Sequence, residues 1–121
     1  MASFQGLAKD VQAGLMAPYN SWHNRMATLK FVQDIPLNAK DPSYPLVAQT
    51  DETLSAFINL PMLLCWGEHD FVFDLDYLKE WQRRFPQAEV YRFPDAGHYI
   101  LEDVPDKVIP LIREFLLNRP L

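Results

Sequence analysis

The second half of the chain alternates short strand-like runs with amphipathic stretches, and this alternation constrains the fold more than any other feature. Residues 62–66 are continuously apolar, as in a strand buried on both faces, and a helical pattern capped by Asp74 follows them. A second run, Glu89–Phe93, precedes another helical pattern, for which Asp103 supplies the cap and Pro105 lies in the first turn. This pattern predicts a β-α-β-α unit of two parallel strands joined by a right-handed crossover.

The sequence before Pro61 has a helical pattern instead. Three helices are predicted for residues 10–16, 22–34 and 46–58, with Ser21 as the cap of the second. Residues 38–45 are rich in turn formers and predict a loop. We therefore divide the chain into a helical segment at residues 1–60 and a β-α-β-α segment at residues 61–121.

Composition excludes several classes of partner. The chain of 121 residues carries 11 Lys and Arg against 16 Asp and Glu, a net charge of −5, which disfavours nucleic acid and anionic membranes. Its apolar runs fall short of the ~20 residues of a membrane span, and its first residues do not resemble a secretory signal. Cys65 has no second cysteine to pair with, so a reducing, cytoplasmic setting is expected.

An acid and a base follow the two predicted strands. Asp70 lies in the turn after the first strand, and His98 lies in the turn after the second. The carboxyl ends of adjacent parallel strands meet at one edge of a sheet, so the two side chains are expected within hydrogen-bond distance. A carboxylate that fixes the tautomer of a histidine base forms two members of a nucleophilic triad.

The third member of such a triad is absent from these residues. Its usual carrier is a Gly-x-Ser-x-Gly or Gly-x-Asp-x-Gly turn, which needs two glycines four positions apart. The four glycines are Gly6, Gly14, Gly67 and Gly97, and no pair of them has this spacing. Cys65 lies within the predicted strand and is expected to be an inert packing residue rather than a nucleophile.

Other interpretations of the polar residues stay open. Asp70 or His98 could be ordinary turn residues that bond to local backbone, and His69 is expected to face solvent or the preceding helices. The cluster that also includes Asp95 and Glu102 matches no compact zinc pattern, so we predict neither a metal nor a cofactor.

Residues near the final helix and on the predicted helices have structural alternatives too. Glu102 and Asp103 are expected to cap the last helix and to bond back to the histidine turn. Trp81 and Phe85 are expected in the core. Four residues of the second helix could either line a substrate pocket or simply pack: Trp22, Arg25, Met26 and Phe31.

These motifs resemble the C-terminal part of an α/β-hydrolase of the haloalkane dehalogenase-like branch. The resemblance is carried by residues 61–70, 85–90, 96–105 and 112–116. Residues 17–22 and 31–37 resemble the end of the helical cap of that branch. The subgroup that the chain resembles most is the hydrolase-like proteins of olefin biosynthesis, which decarboxylate β-lactones.

The resemblance implies roles for two residues and places other parts of the site elsewhere. Asp70 matches the acid after strand seven, and His98 matches the base after strand eight. The family's Asp or Ser nucleophile, its oxyanion donors after strand three and its full cap are not represented in this sequence. Some dehalogenases take their acid from strand six, which leaves the role of Asp70 open.

Three functions follow as alternatives. The chain could be a piece of a hydrolase that is inactive alone and meets a small apolar substrate only when the nucleophile-bearing half is supplied. It could be a non-catalytic interaction module, or a small enzyme that uses His98 as a lone acid and base. A two-stranded sheet with an open apolar edge also predicts self-association or pairing with a nucleophile-bearing chain.

Overall fold

The computed structural model describes residues 2–119, which form two compact units. Residues 2–7 and 58–119 form the strand unit, and Ala8–Phe57 forms the helical unit. The chain start thus belongs with the strands rather than with the helices that follow it. The origin of the helices in a cap stays a prediction, and residues 1, 120 and 121 of the predicted segments lie outside the described residues.

The helical unit contains three α-helices and two short 3₁₀ turns. They are α1 (Lys9–Met16), α2 (Trp22–Gln33) and α3 (Tyr44–Thr53), with 3₁₀ turns at Ala17–Tyr19 and Leu54–Phe57. Ser21 caps α2 as predicted, because its hydroxyl accepts the backbone N–H of Asn24 at 3.2 Å. Helix α3 begins inside the predicted loop, at Tyr44, with Pro45 in its first turn. Proline is tolerated there because the N–H groups of a first turn have no partner within the helix. No residue of this unit is fully buried.

The strand unit has the predicted β-α-β-α order with one short helix added. Its elements are β1 (Leu63–Gly67), α4 (Leu75–Arg84), β2 (Glu89–Phe93), α5 (Ile100–Asp103) and α6 (Pro105–Leu117). The strands are parallel and in register from Leu63 opposite Glu89 to Gly67 opposite Phe93. Asp74 caps α4 as predicted by accepting the N–H of Asp76 at 2.9 Å.

Asp103 does not cap the last helix, which corrects the prediction. It is the last residue of α5, and α6 starts after Val104 without a side-chain cap. Its carboxylate is already occupied by donors from the chain start and from the turn after β2. The predicted bond back to the histidine turn is confirmed, since Oδ2 of Asp103 accepts the N–H of Gly97 at 2.8 Å.

The core of the strand unit lies between the sheet and α6, and both contribute side chains to it. Its buried cluster consists of Phe93, Ala96, Val104 and Val108, with Cys65, Ile100, Leu111 and Ile112 packed against it. Phe85 is 1% exposed and stacks on the half-buried Trp81 at 5.6 Å, which confirms the core prediction for Phe85 and makes Trp81 its partner. Helix α6 contacts β1 and contains Pro110, as the sequence indicated.

Strand β1 is less buried than predicted. Its first four residues are half-buried rather than buried on both faces. The reason is that the sheet in the described part of the chain has two strands, so one edge of β1 meets no other strand there. Within residues 2–119, no helix has both the length and the apolar character that crossing a bilayer requires.

Candidate active site

The turns after the two strands are joined by backbone hydrogen bonds. The N–H of Glu68 donates to the carbonyl of Phe93 at 3.0 Å, and the N–H of His69 donates to that of Ala96 at 3.0 Å. These bonds extend the parallel pairing beyond Gly67, the last residue of β1. The two turns therefore lie side by side at the carboxyl edge of the sheet, where the topology predicts a site.

Asp70 and His98 meet at this edge. Nδ1 of His98 lies 2.9 Å from Oδ2 of Asp70, while Oδ1 of Asp70 accepts the N–H groups of Val72 at 2.8 Å and Phe73 at 2.9 Å. An ionised carboxylate only accepts hydrogen bonds, so Nδ1 carries the hydrogen of this pair. Nε2 of the neutral imidazole then keeps its lone pair and is the atom that can take a proton.

The surroundings of Asp70 keep it ionised. Partial burial favours the neutral acid, but hydrogen bonds from His98 and from the N–H groups of Phe73 and Val72 outweigh it, so the pKa of Asp70 is lowered. The Asp70 side chain is 11% exposed, whereas that of His98 is 31% exposed. The acid is thus shielded, and the imidazole is open to an incoming group.

Aromatic side chains surround the imidazole. The ring of Phe73 lies 5.7 Å from that of His98 and 5.3 Å from that of Tyr77, measured between centroids. The loop that carries Phe73 is held by Trp66, whose indole N–H donates to the Phe73 carbonyl at 2.9 Å. Phe71 in the same loop is 69% exposed. The imidazole of His98 therefore has an aromatic neighbour in Phe73, whose loop is bonded to β1 through Trp66.

Comparison with known proteins assigns the chain to a family. A family model described as the alpha/beta hydrolase fold matches residues 6–105. The chain belongs to the α/β-hydrolase fold family. The two parallel strands with flanking helices agree with the predicted C-terminal part of that fold.

The curated relatives confirm the predicted branch of the α/β-hydrolases. A cis-3-alkyl-4-alkyloxetan-2-one decarboxylase of Shewanella oneidensis is 47% identical over 112 residues, covering 93% of this chain and 35% of the relative. A protein of the same name from Xanthomonas campestris is 40% identical, covering 99% of this chain and 41% of the relative. Haloalkane dehalogenase 2 of Mycobacterium tuberculosis is 28% identical, covering 84% of this chain and 36% of the relative. The chain thus spans about two fifths or less of the length of these α/β-hydrolase relatives.

The other polar residues near this α/β-hydrolase pair have separate partners. The exposed ring of His69 stacks on Phe4 with centroids 4.0 Å apart and planes 2° from parallel. Asp95 forms an ion pair with Lys107, and hydrogen bonding from that lysine lowers the pKa of Asp95. Among residues 2–119, no three His, Cys, Asp or Glu side chains converge as metal ligands would. Burial raises the pKa of the Cys65 thiol, which fits a packing role.

The four residues of α2 that were predicted either to line a pocket or to pack are mostly exposed. Trp22 is 75% exposed and Phe31 is 81% exposed, so simple packing into a core does not describe them. The Arg25 side chain reaches the 3₁₀ turn that precedes α2, where Nε donates to the Tyr19 carbonyl at 2.8 Å. Met26 is half-buried.

Sequence reasoning missed the contribution of the chain start to this edge of the α/β-hydrolase sheet. Ser3 is buried, and its hydroxyl donates to the Asp103 carboxylate at 2.5 Å. The two residues are 100 positions apart, and no local pattern connects them. The one available signal was an acid close behind the histidine turn, which equally well predicts a helix cap.

Proposed function

We propose that this chain supplies the acid and the base of an α/β-hydrolase active site, with Asp70 as the acid and His98 as the base. The observation that carries the proposal is the 2.9 Å contact between Nδ1 of His98 and Oδ2 of Asp70 at the carboxyl edge of the sheet. The lowered pKa of Asp70 supports the assignment, because the acid of such a pair must be ionised to hold the imidazole tautomer.

The nucleophile in this proposal comes from polypeptide outside the 121 residues, because they contain no Gly-x-Ser-x-Gly or Gly-x-Asp-x-Gly turn. With an aspartate nucleophile, Nε2 of His98 takes a proton from the water that attacks the covalent ester. With a serine nucleophile, Nε2 first takes the hydroxyl proton. In both cases the chain alone is inactive, since neither the attacking atom nor the oxyanion donors are present.

An apolar compound is the substrate that this site fits best. The two decarboxylase relatives are named for a four-membered lactone with two alkyl substituents, and they match 93% and 99% of this chain at 47% and 40% identity. The ring of Phe73, 5.7 Å from that of His98, offers alkyl groups an apolar surface beside the imidazole, and burial of apolar area there would be worth roughly 25 cal/mol per Å². We therefore propose an alkyl-substituted β-lactone as the substrate class of the complete site.

We propose as well that the outer edge of β1 pairs with the polypeptide that carries the nucleophile, or with a second copy. An unpaired strand edge offers a row of backbone donors and acceptors, and β1 is half-buried with apolar side chains. Light scattering after size-exclusion chromatography tests this point, because a stable, well-folded monomer would contradict it. A cytoplasmic setting is proposed together with this arrangement, on the lone Cys65.

Complementation tests the main proposal. The chain is purified alone and after co-expression with the part of the Shewanella decarboxylase that it does not match. A dialkyl oxetan-2-one is offered to both preparations. We expect no turnover by the chain alone and turnover by the pair, which His98→Gln abolishes and which His23→Gln, at an exposed position of α2, leaves intact.

Two outcomes would reject this function. Turnover by the pair that survives His98→Gln would remove His98 from the chemistry. Turnover by the chain alone that disappears with His98→Ala would instead favour the small enzyme with a lone histidine. Hydrolysis of an activated ester by the purified chain provides a second substrate for that comparison.

A further inference from the structure

The carboxylate of Asp103 is a junction between the chain start and the turn that carries His98. Oδ1 accepts the Ser3 hydroxyl at 2.5 Å and the N–H of Gln5 at 2.9 Å. Oδ2 accepts the N–H of Phe4 at 2.9 Å and the N–H of Gly97, next to His98, at 2.8 Å. Asp103 is 9% exposed, so these four donors take the place of water around a buried charge.

Residues 2–5, which we name the clasp, also contact both turns of the site directly. The carbonyl of Ala2 accepts the N–H of Tyr99 at 3.0 Å, directly after His98. The Gln5 side-chain amide donates to the carbonyl of Asp95 at 3.0 Å. The ring of Phe4 stacks on His69, the neighbour of Asp70. One short segment thus spans the two turns that carry the acid and the base.

We propose that Asp103 is a positioning residue: it binds the clasp to the His98 turn and thereby holds Nδ1 of His98 against Asp70. The importance of this geometry for catalysis rests on the proposed function. The geometry itself involves only residues of this chain and can be measured without any substrate.

The donor arrangement explains why the residue must be a carboxylate. Each oxygen of Asp103 accepts two hydrogen bonds, so an amide in its place would turn an NH₂ group toward N–H donors whichever way it is oriented. At least one buried donor would lose its partner. Burial favours neutral Asp103, but bonds from Ser3, Gly97, Phe4 and Gln5 outweigh it and lower its pKa.

A purely structural role of Asp103 predicts a different behaviour of the His98 ring. If Asp103 only stabilised the fold, its replacement would lower the free energy of unfolding while folded molecules kept the same imidazole tautomer. If it positions His98, folded molecules lose the preference for the hydrogen on Nδ1. The tautomer of the folded protein separates these two roles.

The test is ¹⁵N NMR of the His98 ring in the full chain, at about pH 8.5, where a typical imidazole is neutral. The variant is Asp103→Asn, and the matched control is Asp106→Asn, an exposed acid in the first turn of α6. Asp70→Asn provides the reference spectrum of an imidazole that has lost its carboxylate. We expect wild type and Asp106→Asn to show the hydrogen on Nδ1 and Asp103→Asn to move toward the Asp70→Asn spectrum.

A folded Asp103→Asn protein with the wild-type ring spectrum would overturn the proposal. If circular dichroism shows that Asp103→Asn does not fold, Ser3→Ala decides the question, because it removes one of the four donors. We then expect the His98 ring spectrum of Ser3→Ala to move toward that of Asp70→Asn, and amide exchange at Gly97 to accelerate by roughly 10- to 150-fold, because a hydrogen bond to a charged group contributes about 1.5–3 kcal/mol and each 1.4 kcal/mol is a factor of ten. Unchanged exchange at Gly97 in Ser3→Ala would overturn the proposal as well.

The positioning role and the proposed function fail separately. If the complemented enzyme is inactive while Asp103→Asn still changes the tautomer, the function is wrong and the positioning role stands. If the complemented enzyme needs His98 but Asp103→Asn leaves the His98 tautomer unchanged, the function stands and the positioning role is wrong.

Discussion

Gly67 and Gly97 bring the two turns of the candidate site closer together than any side chain would allow. A Cβ atom on Gly67 would lie 2.3 Å from the carbonyl oxygen of Gly97 and 2.7 Å from that of Ala96. Both obstacles are backbone atoms, which cannot rotate aside as a side chain can. The acid turn and the base turn therefore depend on a glycine at the end of β1 for their contact.

Replacement of this glycine should separate the turns. We expect Gly67→Ala to lower the free energy of unfolding of the strand unit by about 1–3 kcal/mol, because the added methyl overpacks against backbone. The His98 ring should also lose its bond to Asp70, since the two turns must move apart. Urea unfolding followed by circular dichroism measures the first effect, and ¹⁵N NMR of the ring measures the second.

Gly14→Ala is the matched control for this substitution. Nothing lies within 4 Å of a Cβ at Gly14, which is a residue of helix α1. Alanine favours a helix over glycine by about 0.8–1.0 kcal/mol, so this variant should be neutral or more stable. Wild-type stability of Gly67→Ala would show that the turns can part without cost.

Asp70→Asn should reverse the tautomer of His98 without removing the contact. The amide oxygen of the new side chain can still accept the hydrogen bonds from the N–H groups of Val72 and Phe73, so its NH₂ group faces Nδ1 of His98. Nδ1 then accepts a hydrogen, and Nε2 carries one and can no longer act as a base.

In the complemented enzyme this reversal should reduce kcat by about 10⁴-fold, the loss expected when a triad histidine is held in the wrong tautomer. Asp74→Asn is the control, because Asp74 follows the same turn but only caps α4. Equal loss of kcat in both variants would point to a general effect on folding rather than to the tautomer.

Acid should destabilise the strand unit. The lowered pKa values of Asp70 and Asp103 mean that the unfolded chain binds more protons than the folded one at low pH. Their contribution is complete above the ordinary Asp pKa of about 3.9 and is lost as pH falls through that value and then through the lower folded pKa. Urea unfolding between pH 6 and the acid limit should show stability falling over this window.

Salt distinguishes the buried carboxylates from the exposed ones in this experiment. Hydrogen bonds from Arg83 and Arg84 lower the pKa of Glu80 to about 2, and hydrogen bonds from lysines lower those of Asp76 and Asp95. These ion pairs are at the surface and are screened at 1 M salt. The acid sensitivity that remains at high salt belongs mainly to Asp70 and Asp103. Stability that stays constant down to pH 3 would contradict the prediction.

Local signals predicted two helix caps correctly, and topology predicted the contact between Asp70 and His98, whose catalytic roles stay a prediction. Asp74 and Ser21 cap the helices that their positions indicated, because a cap is a contact between residues three or fewer positions apart. The contact between Asp70 and His98 was predictable from topology, because adjacent parallel strands deliver their following turns to one edge.

Long-range contacts explain what sequence reasoning could not reach. Asp103 matches the pattern of a cap, yet its donors include a hydroxyl 100 positions earlier in the chain. The apolar run of β1 is typical of a strand covered on both faces, but only contacts outside the run decide how much of it is covered. Both errors have the same cause. Residue type shows that a carboxylate needs hydrogen-bond donors and that an apolar side chain favours burial, but it does not show which part of the chain provides them.

Truncation of a buried ring tests whether the strand unit has a core that folds cooperatively. Phe85 is 1% exposed, so Phe85→Ala should lower the free energy of unfolding by about 3–5 kcal/mol and unfold much of the unit at 37 °C. Phe31→Ala removes the same atoms from a side chain that is 81% exposed, and it should change stability by less than about 0.5 kcal/mol. Thermal unfolding of both variants measures the contrast, and a Phe85→Ala protein as stable as Phe31→Ala would mean that the packing around α4 contributes little.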